Sequence, residues 1–129
     1  MIVDTSVLAA ILFEEPERQV FMDAMADAPE LHISAATLVE ATLVIEGRSG
    51  EGAGQELDRL LTGLGVEVSP VTMQTARLAQ AAWRRFGRGR HKAALNFGDC
   101  FAYALAQERN DSLLFKGDDF CRTDVKAAI

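Results

Sequence analysis

The chain opens on an apolar run too short to be anything but a strand: Met1, Ile2 and Val3 stop abruptly at Asp4-Thr5-Ser6. With no room for polar alternation, such a run is covered on both faces, as a central strand of a parallel sheet is. The switch to a carboxylate and two hydroxyls falls where an α/β sheet presents polar groups to a ligand, at the carboxyl edge of a strand. Everything downstream must then supply helices for two faces.

The pattern does so. Ser6 to Phe13 is apolar on nearly every side and predicts a buried helix closed by Glu14-Glu15-Pro16; Pro16 suits the first position of a second helix carrying Val20, Phe21, Met25 and Ala28. Leu31-His32-Ile33 predicts a strand that keeps His32 in the core or at its edge, and Ser34 caps a helix running to Glu46 with Gly47 as its stop. Three glycines make Arg48 to Gly54 the most flexible-looking stretch. A helix with Leu57, Leu60, Leu61 and Leu64 on one face ends at Gly65, and Val66-Glu67-Val68 forms the next strand. Thr72 caps a long helix bearing Met73, Ala76, Ala79, Trp83 and Phe86. Asn96 begins another, mostly apolar, to about Arg109, and Leu113-Leu114-Phe115 is the last strand. Strands alternating with one or two helices predict an α/β fold with a central parallel sheet sandwiched between helices.

A length of 129 residues with 49% hydrophobic content fits a single domain over 1–129 with a substantial core. The absence of a signal peptide or membrane-length apolar run predicts a cytoplasmic protein with no membrane association. Cys100 and Cys121 match no zinc spacing and read as small buried or semi-buried hydrophobes. The formal net charge of −6 argues against a nucleic-acid partner, unless several acids share a cation and the bulk figure overstates the field elsewhere.

Three further acidic positions join Asp4 in breaking the apolar pattern. Glu40 has Ala36, Thr37, Leu43 and Val44 three and four residues away, so its carboxylate is desolvated unless the helix is rotated to bring it to water. Asp99 follows Asn96 by three, the spacing of a cap pair, yet Leu95, Ala102 and Tyr103 share its face. Asp118 and Asp119 follow the last strand after Gly117, which lets the backbone turn sharply at the edge that carries Asp4; adjacent acids in a turn can equally be solvated. Asp124 is a weaker candidate. Carboxylates brought together repel one another, and a multivalent cation relieves that repulsion. Oxygen donors without paired His or Cys suit Mg²⁺ or Mn²⁺ over Zn²⁺, and a cation held by acids is equipment for phosphodiester hydrolysis.

These residues carry a family resemblance. Met1-Ile2-Val3-Asp4-Thr5-Ser6, Ile33 to Glu40, Arg85 to His91, Leu95-Asn96-Phe97-Gly98-Asp99 through Ala104, and Leu114 to Phe120 with Thr123-Asp124 together resemble the PIN-domain ribonucleases, and among them the VapC-type toxins, in family order over essentially the whole chain. The resemblance implies a three-layer α/β/α PIN-like fold and a Mg²⁺- or Mn²⁺-dependent endoribonuclease that leaves 5′-phosphate and 3′-hydroxyl ends. It also implies an RNA substrate, a cognate VapB-type antitoxin and a homodimer. By position, Asp4, Glu40 and Asp99 match the acidic triad that binds metal, the Asp118-Asp119 pair contains the fourth acid with Asp119 favoured because it precedes Phe120, and Ser6 matches the hydroxyl supporting the first acid. The basic stretch from Arg84 to Lys92 either complements a helix C-terminus or grips the RNA backbone through Arg88, Arg90 and Lys92. The rival from another class is a non-catalytic α/β domain that binds a partner and carries an acidic ion-binding pocket; RNA cleavage that depends on a divalent cation separates the two.

Overall fold

A computed structural model describes residues 1–129. Four short strands, β1 (Ile2–Val3), β2 (His32–Ser34), β3 (Glu67–Ser69) and β4 (Leu113–Leu114), form one parallel sheet in the order β3-β2-β1-β4. Ile2 pairs with His32 on one side and Leu113 on the other, so β1 is interior and Asp4 emerges at the middle of the sheet's carboxyl edge. Six helices complete the chain: α1 (Thr5–Leu12), α2 (Arg18–Asp27), α3 (Ala35–Ser49), α4 (Glu51–Gly63), α5 (Met73–Phe86) and α6 (Phe97–Arg109). None of them is long and apolar enough to cross a membrane.

Alternate side chains of a strand face opposite ways, and the sheet divides the core accordingly. Ile2 and Leu113 pack with Phe86, Leu95 and Leu105 on the side of α5 and α6. Val3 and Leu114 pack with Leu8, Phe21, Ile45 and Leu57 on the side of α1 to α4. Two apolar cores separated by one sheet are the expected α/β/α layers. The short β1 run is thus fully buried because each of its two residues anchors a different core.

The structure departs from expectation where local pattern left the helix rotation or boundary open. The second helix starts at Arg18, two residues beyond Pro16, and Val20 faces solvent. The third runs through Gly47 to Ser49, and the stretch read as flexible is mostly helix α4, broken from α3 only at Gly50, whose φ of +82° a side chain would resist. Gly54 faces the Glu46 side chain of α3, which a Cβ at that position would overlap unless the glutamate moved. On α5, Thr75, Ala79, Ala82 and Phe86 face inward, whereas Met73 and Trp83 are exposed. The third strand begins at Glu67 and lies at the sheet's edge, with Val68 exposed. His32 is buried as expected, its Nε2 2.7 Å from the Arg109 guanidinium.

Because Leu114 is wholly buried and Val68 is not, the two positions report differently on the sheet. Leu114→Ala lowers unfolding free energy by about 2–5 kcal/mol, while Val68→Ala changes it by less than about 1 kcal/mol, as urea denaturation will measure.

Candidate active site

The site is assembled at the junctions where strands hand over to helices. Asp4 follows β1 and is the N-cap of α1: its Oδ2 accepts from the Ser6 backbone N–H at 2.9 Å and the Ser6 hydroxyl at 2.6 Å. Ser6 Oγ in turn accepts from the Lys116 backbone N–H at 2.9 Å, which ties the residues after β4 to the first acid. Asp4 is only 3% exposed, and its other oxygen, Oδ1, is buried with no hydrogen-bond partner. Burial raises the Asp4 pKa, opposed by the Ser6 hydrogen bonds and reinforced by the negative charge of Glu40. A buried acceptor left unsatisfied at the centre of a sheet edge calls for a donor or a cation.

Glu40 reaches the same place from α3, but not as the flanking residues suggested. Leu43 is 70% exposed and Val39 and Val44 also face outward, so the apolar neighbours on its helix do not bury it. Its partial burial comes from across the site. Thr5 Oγ1 donates to Oε2 at 2.7 Å, and Gly98 of α6 lies so close that any Cβ would overlap the carboxylate. Desolvation raises the Glu40 pKa against the Thr5 hydrogen bond, and repulsion from Asp99 raises it further.

Asp99 is a cap partner that also lies among the other acids. Its backbone N–H donates to Asn96 Oδ1 at 2.9 Å and its Oδ2 accepts from the Asn96 N–H at 2.8 Å, a reciprocal capping box that points the carboxylate along the first turn of α6. Its pKa is pushed up to about 6, first by burial and then by the charges of Asp4 and Asp119, with the Asn96 hydrogen bond and Arg88 pulling it back. Asp119 precedes the short 3₁₀ turn Phe120–Arg122 and makes no capping bond of its own. Asp119, and not Asp118, is among the charges acting on Asp99. Both are exposed. Asp124 is committed elsewhere, to the Tyr103 hydroxyl and Arg85 at 2.5 Å each.

Asp4, Glu40 and Asp99 therefore lie near enough for charge to act among them, and Asp119 is near enough to act on Asp99. No three acidic, His or Cys side chains come close enough together to hold a metal ion by themselves. The fit to a hard dication rests instead on the oxygen-only donors, since magnesium keeps several waters and is bound through one or two carboxylates. The unpartnered Oδ1 of Asp4 is the donor such an ion requires. The structure brings the expected acids and Ser6 into one neighbourhood and adds Thr5 and Gly98, which the sequence pattern did not single out. A glycine in the first turn of an otherwise apolar helix was the available signal for a close approach. In the basic stretch, Arg85 is used by Asp124 and the Lys92 carbonyl accepts from Arg122, whereas Arg88 and Arg90 form no ion pair.

A carboxyl whose pKa rises from 3.8 unfolded to about 6 folded is bound to its proton more tightly in the native state. Its contribution to stability is present below about pH 4 and is lost as pH rises through about 6. In EDTA, Asp99→Asn consequently raises the thermal midpoint at neutral pH and flattens its decline between pH 4 and 7. Added Mn²⁺ raises the midpoint of the wild type but not that of the variant, as differential scanning fluorimetry will record.

Comparison with known proteins agrees with this architecture. The PIN domain model matches residues 1–126. A Ribonuclease VapC of Mycolicibacterium smegmatis is 47% identical over 127 residues, covering 98% of each chain. Ribonuclease VapC30 of Mycobacterium tuberculosis is 45% identical over 126 residues, 97% of this chain and 95% of its own. The crystal structure of M. tuberculosis VapC20, a sarcin–ricin loop cleaving toxin, shares the fold with a TM-score of 0.80 at 19% identity, over 96% of this chain and 95% of that one. With a family model spanning nearly its whole length and full-length relatives above 40% identity, the chain belongs to the PIN-domain family, in the branch of the VapC ribonucleases.

Proposed function

We propose that the protein is a Mg²⁺- or Mn²⁺-dependent endoribonuclease acting as the toxin of a toxin–antitoxin pair. The observation that carries this reading is the Asp4 carboxylate, one oxygen held by Ser6 and the other buried without a partner, beside Glu40, whose charge bears on it, and Asp99, on which its own charge bears. Asp4 and Asp99 are the principal metal ligands, Glu40 and Asp119 complete the acidic pocket, and Ser6 orients Asp4. When bound, the cation acidifies a water and offsets charge building on the scissile phosphate.

The chain's own part is to hold these groups in place. Thr5 fixes the Glu40 carboxylate, and the capping box fixes Asp99. Arg88 puts positive charge beside Asp99, where the RNA backbone must pass, and Arg90 and Lys92 extend it along the loop. In-line attack leaves 5′-phosphate and 3′-hydroxyl ends. The antitoxin is a VapB-type chain, and the outer face of α3, with Val39, Leu43 and Val44 exposed together, is a surface for a second copy of the protein.

Incubation with structured RNA in Mg²⁺ yields cleavage that EDTA abolishes. Ser6→Ala retains the fold and loses about 10–100-fold in rate, because Ser6 orients a ligand without being one, whereas Asp99→Asn loses more. Cleavage in EDTA, or none in Mg²⁺ or Mn²⁺, contradicts the proposal.

A further inference from the structure

Beside the acids, between α5 and α6, lies an open cavity of about 590 Å³, within the size range of small-molecule sites. Trp83, Phe97, Phe101, Cys100, Asn96 and Arg88 line it. It adjoins the acidic pocket directly. Asn96 caps Asp99, Cys100 follows Asp99, and Arg88 both lines the cavity and acts electrostatically on Asp99.

The cavity's aromatic wall is poorly explained by folding. Phe97 is 80% exposed and meets Phe101 edge-on at 5.0 Å, and Trp83 is 43% exposed with the Arg90 guanidinium 4.1 Å above its ring. Arg88 and Arg90, at the rim, form no ion pair although acids outnumber bases by 19 to 13 in the chain. Aromatic faces bordered by unpaired arginines match a ligand with a flat apolar ring and an attached anion, the combination that single-stranded nucleic acid offers.

Resting on the ribonuclease reading, we infer that this cavity is a nucleobase subsite: an unpaired nucleotide next to the scissile bond stacks its base against Phe97 and Trp83 while Arg88 and Arg90 hold its phosphate. An apolar protein partner would also cover aromatic residues, but it leaves the two arginines without a counter-charge.

Trp83 is the chain's single tryptophan, so its fluorescence reports occupancy directly. The protein is titrated in EDTA at low ionic strength with a single-stranded oligouridylate and with an abasic chain of equal length and charge. The base-bearing chain quenches Trp83 and binds about tenfold more tightly. Phe97→Ala removes that advantage, leaves abasic binding unchanged, and Phe97→Tyr restores it. Equal affinity for the two chains overturns the inference. So does a Phe97→Ala variant that binds RNA normally but loses self-association by sedimentation, which would mark the cavity as a protein interface. Because binding is read without metal, its failure is distinct from a failure of metal-dependent cleavage.

Discussion

A carboxylate buried at the centre of a sheet edge is costly, and the fold is arranged around making that tolerable for Asp4. Half of the group is satisfied locally, since capping α1 gives Oδ2 both the backbone and the hydroxyl of Ser6. The other half is not satisfied by the protein at all. This asymmetry ties stability to chemistry. The same burial that raises the proton affinity of Asp4 makes it a strong, oriented donor for a dication once the proton leaves.

The neighbouring acids are placed by contacts made for other reasons. Asp99 completes a helix cap, which fixes its direction without any metal. Glu40 is pinned by Thr5 and leans on Gly98, so the distance between α3 and α6 sets the width of the pocket. The bond from Lys116 N–H to Ser6 then brings the turn after β4, and with it Asp119, toward the same edge. Two caps, the Thr5 hydrogen bond, the Gly98 contact and the Lys116–Ser6 bond thus position groups drawn from four separate segments.

Much of this was legible in the residues themselves. Ile2-Val3 could only be a strand anchored in two cores, the Asn96–Asp99 spacing announced a cap, and the strand–helix alternation implied the parallel sheet. Side-chain direction was harder to read where apolar residues surround a helix. Around Glu40 the pattern suggested burial among Leu43 and Val44, yet those residues face solvent and the burial comes from α1 and α6. Periodicity cannot fix the rotation of such a helix, because contacts distant in sequence decide which face the sheet takes. The glycines of 50–54 misled for a related reason: Gly52 and Gly54 lie within α4, and only Gly50 takes a conformation that needs glycine. Trp83 and Phe97, read as core or left unremarked, instead form a surface beside the acids.

The central claim is that Asp4, Glu40 and Asp99 share one pocket whose repulsion a hard dication relieves. Crystals soaked in Mn²⁺ test it most directly through anomalous scattering. The account predicts a manganese peak in contact with Asp4 Oδ1 and the Asp99 carboxylate. A peak confined to the exposed Asp118 or to Asp124, with Asp4 Oδ1 still unpartnered at saturating Mn²⁺, would contradict it.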